Sequence, residues 1–154
     1  MVEFTKTTGP LTEQELAEFE NSLPVVLPSD YRRFLQTYDG GRPKPRAFSF
    51  YEDDNGSSIH SFYGIKQDEY RDIRDAIETY KGRIPERFLP IAYDEGGNRI
   101  CLSLYGDDRG YVYFWDHELE ADETQGFTPE TTNNLTLISK SFTDFLNSLR
   151  EVGL

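Results

Sequence analysis

The chain has 154 residues, 28 acidic against 16 basic side chains, and a formal charge of −12 at pH 7. With 36% apolar and 14% aromatic residues a chain of this size can fill one core without a metal or a disulfide, which excludes an intrinsically disordered polymer. One cysteine, Cys101, excludes an internal disulfide framework and a Cys-based zinc site, and the acidic balance argues against nucleic acid, whose phosphates it would repel.

The opening MVEFTKTTGP holds no apolar run, so neither a secretory signal nor a membrane anchor is expected there. The expectation is a cytoplasmic protein with no membrane insertion. Thr12 and Glu15 form a capping box preceded by Leu11. Leu16, Phe19 and Leu23 then give the apolar stripe of a short helix. Pro24 and Pro28 bracket Val25, Val26 and Leu27, where the chain must run extended. Ser29 is a good N-cap for a second helix, with Asp30 in its first turn. Its predicted buried stripe is Tyr31, Phe34, Leu35 and Tyr38, and Gly40-Gly41 supplies a left-handed exit.

Residues 42–46 form a basic loop without helical period. Ala47 to Tyr51 and Ile59 to Ile65 are expected strands, and Asn55-Gly56 between them is the signature of a tight hairpin turn. A third helix is predicted from about Asp68 to Lys81, with Tyr70, Ile73, Ile77 and Tyr80 on one face. Leu89 to Tyr93, Arg99 to Leu104 and Tyr111 to Trp115 follow as three strands of an antiparallel meander, joined by Gly-rich turns at 94–98 and 106–110. Residues 117–134 lack periodicity and predict a long exposed loop. A last helix, capped by Ser139 or Ser141, carries Phe142, Phe145, Leu146 and Leu149 on its buried face.

Catalytic chemistry finds little support. Gly40-Gly41 and Gly96-Gly97 lack the spacing of a phosphate loop. Cys101 lies mid-strand between Ile100 and Leu102, which suits a small core residue better than a nucleophile. His60 falls within a strand. Asp116, His117 and Glu118 are adjacent, so their side chains cannot converge on one ion without a break in strand geometry. Asp53-Asp54 and Asp107-Asp108 sit in predicted turns, where Asp serves local backbone hydrogen bonds. An enzyme built on Asp53, Asp54, His117 and Glu118 stays open only as a minor alternative. The expectation is no catalytic residue, no metal and no cofactor. Two glycosylation-type sequons, at Asn55 and Asn134, are read as chance.

Charge is distributed unevenly. Between 28 and 46, Arg32, Arg33, Arg42, Lys44 and Arg46 face only Asp30 and Asp39. Between 107 and 123, Asp107, Asp108, Asp116, Glu118, Glu120, Asp122 and Glu123 face only Arg109. Solubility alone accounts for such a run. It can equally be an anionic face that steers a basic protein partner, with Tyr105, Tyr111, Tyr113 and Trp115 as candidate anchors.

Three segments in order point further. Leu27-Pro28-Ser29-Asp30-Tyr31-Arg32-Arg33-Phe34-Leu35 closes on Tyr38-Asp39-Gly40-Gly41. Then come Phe88-Leu89-Pro90-Ile91-Ala92, Asp94, Gly96-Gly97-Asn98, Ile100 and Leu102, and Gly110, Val112, Tyr113 and Trp115-Asp116-His117. Ser141-Phe142 and Phe145-Leu146 complete the set. This pattern, spanning about residues 11–150, resembles the SUKH superfamily, in particular its branch similar to the yeast cell-wall-assembly regulator of the Smi/Knr type. The resemblance implies one α+β domain over residues 1–154, with a curved, mostly antiparallel sheet of five to six strands packed against N-terminal, middle and C-terminal helices. It also implies a non-catalytic protein. Bacterial members of the family typically act as immunity proteins that bind and neutralise a toxin of a polymorphic or contact-dependent system, often a nuclease. Eukaryotic relatives are interaction modules in wall assembly, so a regulatory or scaffold module is the alternative. Asp94, Asn98, Trp115 and Asp116 match the family's distinctive positions. With the acidic Asp107, Asp108 and Glu118 they form the expected partner-binding set, and the expected partner is a basic toxin domain.

Overall fold

The structure is a computed structural model and describes residues 2–119 and 134–152. Strand β1 (Glu3–Thr5) leads into helix α1 (Glu13–Asn21), which starts on the expected capping box. The Thr12 hydroxyl accepts from the Glu15 N–H at 3.0 Å, and the Glu15 carboxylate accepts from the Thr12 N–H at 2.9 Å. Helix α2 (Ser29–Tyr38) begins one residue earlier than the cap reading had it. Pro28 is the N-cap and Ser29 the first helical residue. Proline's fixed φ suits it to the entry of a helix. The side chain of Asp30 instead reaches helix α4 (Phe142–Asn147), where it accepts from the Thr143 N–H at 2.9 Å and hydroxyl at 3.0 Å. The left-handed exit from α2 falls on Asp39 itself (φ 51°), with Gly40 and Gly41 following at positive φ.

The stretch read as a basic loop pairs as strand β2 (Arg42–Lys44) with β1, Phe4 opposite Pro43. Strand β3 (Ala47–Ser49) pairs with β4 (Gly56–Ser58), so Gly56 lies in the ladder rather than at an Asn-Gly turn. A Cβ at Gly56 would lie 1.9 Å from the Phe48 carbonyl oxygen, which explains the glycine by close approach. Strand β5 is Ser61–Phe62. The third helix is divided: a one-turn 3-10 helix at Glu69–Arg71, then α3 (Ile73–Tyr80) capped by Asp72, whose carboxylate accepts from the Arg74 N–H. Tyr70, expected on the buried face, is consequently exposed.

The meander is as expected. Strands β6 (Phe88–Tyr93), β7 (Arg99–Ser103) and β8 (Val112–Trp115) are joined by β9 (Leu135–Ser139) into a five-stranded antiparallel sheet, in the order β5-β6-β7-β8-β9. Register shifts between Pro90 and Ala92 and between Val112 and Tyr113 are irregularities of the kind that bend and twist a sheet. With four helices and two further two-stranded sheets among the described residues, the α+β class is as expected.

Pleating sends alternate residues to opposite faces, and each face has its own core. Ile100, Leu102, Val112 and Phe114 join Leu16 and Phe19 of α1, Tyr31, Phe34 and Leu35 of α2, and Phe142 and Phe145 of α4. Cys101 and Trp115 point the other way, into a smaller cluster with Ile84 and Phe88, against which Tyr80 of α3 packs. Aromatic contacts knit the larger core, with Phe34 centroids 4.9 Å from Phe62 and 5.1 Å from Phe142. No helix among the described residues is long and apolar enough to cross a membrane.

Candidate functional site

The seven expected partner-binding residues do not form one patch. The β6–β7 turn and the start of β8 lie at opposite ends of the central strands, as Tyr93 pairs with Arg99, and Arg99 in turn with Trp115. Asp94, Asn98, Trp115, Asp116 and Glu118 therefore gather at one end, and Asp107 and Asp108 at the other.

At the first end the polar groups brace the backbone. Asp94 is buried, and its Oδ1 accepts from the N–H groups of Gly96 (2.9 Å) and Asn98 (2.8 Å). Its Oδ2 accepts from the Ser57 hydroxyl and the Asn98 amide, tying the β3–β4 hairpin to the turn. Asn98 Oδ1 accepts from the His117 N–H at 3.1 Å, and Asp116 Oδ1 from the Glu118 N–H at 2.9 Å. These hold a one-turn 3-10 helix, His117–Leu119. Trp115 is 0% exposed, so its indole is core rather than a surface anchor. Glu118 is exposed and Asp116 half-buried. The expected loop at 117–134 lies mostly outside the described residues, as do Glu120, Asp122 and Glu123. Asn134, at its end, is buried, donating from Nδ2 to the Asp116 carbonyl.

At the other end Asp108 is the acceptor of a compact network. Arg87 donates to it at 2.5 Å, Tyr113 at 2.6 Å and Ser103 at 2.8 Å. Burial pushes its carboxyl up, but the hydrogen bonds from Arg87, Tyr113 and Ser103 outweigh this and hold it below the usual range. Burial, then Asp108, pushes the Tyr113 phenol up. Asp107 beside it is exposed.

Folding brings to this same end a set of carboxylates absent from the expected one. Ser139 pairs with Val112, so Lys140 follows β9 beside the start of β8. The loop after β3 reaches it, donating from the Tyr51 N–H to the Leu137 carbonyl at 2.9 Å and placing the Tyr51 ring 5.0 Å from the Lys140 ammonium. Glu52, Asp53, Asp54 and Asp144 thus line a groove of about 550 Å³, together with Phe50, Ile138 and Lys140. Tyr51 is 40% exposed at its edge. The local signal was Asp53-Asp54 in a turn. Asp144 arrives from a helix about ninety residues further along, which only the tertiary fold reveals. Among the described residues no group of three or more His, Cys, Asp or Glu is placed to hold a metal ion.

The chain belongs to the SMI1 / KNR4 family (SUKH-1), whose model matches residues 10–148. It is also 32% identical to the SPbeta prophage-derived uncharacterized protein YokK of Bacillus subtilis (strain 168), over 90% of this chain and 74% of that protein. Domains of the family are generally protein-interacting and non-catalytic.

Proposed function

We propose that this protein is a non-catalytic immunity protein that binds a basic toxin domain, a nuclease in the simplest case, and neutralises it in the cytoplasm. Family membership supports the class, and the prophage origin of the relative is consistent with competition between mobile elements. The observation that carries the reading is the groove lined by Glu52, Asp53, Asp54 and Asp144, at the end of the sheet where the loop bearing the exposed Asp107 also lies. Opposed charge of this kind speeds association and rejects wrong partners. It also offers a physical route to inhibition, because a nuclease must present positive charge to bind phosphate. Because Asp94, Asn98 and Trp115 serve the framework, the reading rests on carboxylates open to solvent, with the exposed Glu118 and the half-buried Asp116 as the candidates at the far end.

The test is affinity capture from the source lysate with wild type, an Asp53→Lys/Asp107→Lys variant and an Asp116→Lys variant, followed by inhibition assays on the captured protein. One dominant basic partner, inhibited by the wild type and lost with the first variant, is the expected outcome. Loss only with Asp116→Lys would move the contact to the other end of the sheet. Several partners of similar abundance, insensitive to charge reversal, would replace the immunity reading by a regulatory or scaffold module.

A further inference from the structure

A second groove has the opposite character. Arg42 and Lys44 occupy the two outward positions of β2, with Pro43 buried between them. Arg46 follows past Pro45, and His60 comes from the residues just before β5. Together with Ile59, Glu95, Glu151 and Val152 they line a groove of about 430 Å³, a size that takes a small ligand or a few side chains. Arg46 is matched by Glu95 at 3.4 Å. Arg42 and Lys44 are exposed and, among the described residues, have no carboxylate within ion-pair distance, whereas Arg32, Lys66, Arg71, Arg74 and Arg87 each have at least one. Other cations such as Arg33 share this lack of an ion pair, but among the described residues only here do two of them stand on one strand at the wall of a groove, with Glu3 opposite Lys44 in the β1–β2 pair.

We propose that this groove binds an extended acidic segment of a protein partner, whose carboxylates pair with Arg42 and Lys44. Three features favour a peptide over nucleic acid. Glu95 and Glu151 stand in the wall, where a continuous phosphate backbone would be repelled but separated carboxylates can avoid them. Pro43, Pro45, Ile59 and Val152 offer apolar surface to the side chains between those carboxylates. The net charge of −12 weighs more heavily against a nucleic acid, charged at every residue, than against a segment with a few spaced carboxylates. Neither proline has an N–H to donate, so side chains rather than strand addition carry the recognition. Glu95 lies in the β6–β7 turn, at the end of the sheet away from Asp107. The inference is therefore independent of the toxin reading, and both surfaces can be occupied together.

His60 supplies the readout. Its ring stacks on Tyr93 at 5.2 Å and its Nδ1 lies 3.0 Å from the Ser61 hydroxyl. Burial lowers its proton affinity, as do Arg42, Arg71 and Arg46, against the opposing Glu95. A bound carboxylate must raise it. The experiment follows the imidazole resonances of the two histidines by NMR, assigned with His117→Gln, while a capped peptide of alternating Glu and Val residues is added. The same peptide with Gln for Glu, inorganic phosphate and a short oligothymidylate are added in parallel. The expected result is a saturable shift of the His60 signal with a raised pKa, produced by the Glu peptide and not by the Gln peptide. It should weaken at least tenfold in Arg42→Gln/Lys44→Gln, a variant of two exposed side chains whose unchanged Tm certifies its fold. No response to the Glu peptide, or an undiminished one in the variant, would overturn the proposal. A stronger response to phosphate or oligothymidylate would replace the acidic peptide by a phosphate ligand. A His60 shift that depends on protein concentration alone would assign the groove to the acidic 52–54 loop of a second copy, and would equally overturn it.

Discussion

Asp39 offers the sharpest test of how this sequence holds its fold. It is 0% exposed and left-handed at the end of α2. Its Oδ1 accepts from the Ile65 N–H at 2.5 Å, and its Oδ2 from the Lys66 N–H at 2.7 Å and the Thr8 hydroxyl at 2.8 Å. Its carbonyl accepts from the Gln67 amide at 3.0 Å. One carboxylate thus joins the N-terminal segment, α2 and the loop after β5. Asp39→Asn keeps the shape and tolerates the left-handed backbone. It leaves a single acceptor oxygen, however, and either orientation of the amide aims an N–H at the donor of Ile65 or Lys66. The Thr8 hydroxyl can turn to accept, but one backbone donor must lose its partner. A buried unsatisfied donor costs about 1–3 kcal/mol, and hydrogen bonds to a charged acceptor are worth about 1.5–3 kcal/mol each. We expect Asp39→Asn to cost about 3 kcal/mol, a fall in Tm of about 9 °C for a chain of this size. Urea unfolding should give the free energy with an unchanged slope. A loss below about 1 kcal/mol would refute the assignment of the carboxylate as the joint.

Two further substitutions probe the cores. Asp108→Asn should cost about 1.5 kcal/mol at neutral pH, through the lost pairing with Arg87 and Tyr113. Because the folded carboxyl is held below its ordinary value, its contribution is present above about pH 4 and drains away as pH falls through the folded value. The gap between wild type and variant must therefore narrow in acid, measured by chemical unfolding across pH, and a constant gap would contradict the network. Tyr31→Phe should be neutral or stabilising by up to about 1 kcal/mol. The Tyr31 hydroxyl is buried without a hydrogen-bond partner among the described residues, and a clear loss of Tm would show that it has one.

The elements that local chemistry defines were legible in the sequence. The Thr12–Glu15 box, the Phe34-Leu35 stripe and the β6–β8 meander all follow from spacing of three and four, or two, along the chain. What was missed depends on partners distant in sequence. Strand β2 contains Pro43 and is three residues long, so nothing local marks it. It exists because β1 pairs with it and because Gly41 bridges Phe62. Gly56 looked like a turn residue but serves a close approach to Phe48. The same holds for the site. Asp94, Asn98 and Asp116 stand out as polar residues in a familiar pattern, yet their side chains brace a turn, a hairpin and a helix end. Asp53 reads in sequence as a turn carboxylate and Asp144 as an ordinary helix residue, and the two come together only when β9 and the 50–55 loop meet.

Trp115 is the chain's one tryptophan, sealed beneath Tyr80 at 5.6 Å and flanked by the Arg83 guanidinium at 6.0 Å. Neither groove touches it. Its fluorescence is therefore a private channel on the small core, emitting at the short wavelengths of an indole shielded from water and deaf to aqueous quenchers. A ligand that merely settles on the surface leaves this signal still. One that alters it has disturbed the packing around the indole, so a simple emission spectrum separates docking from deformation.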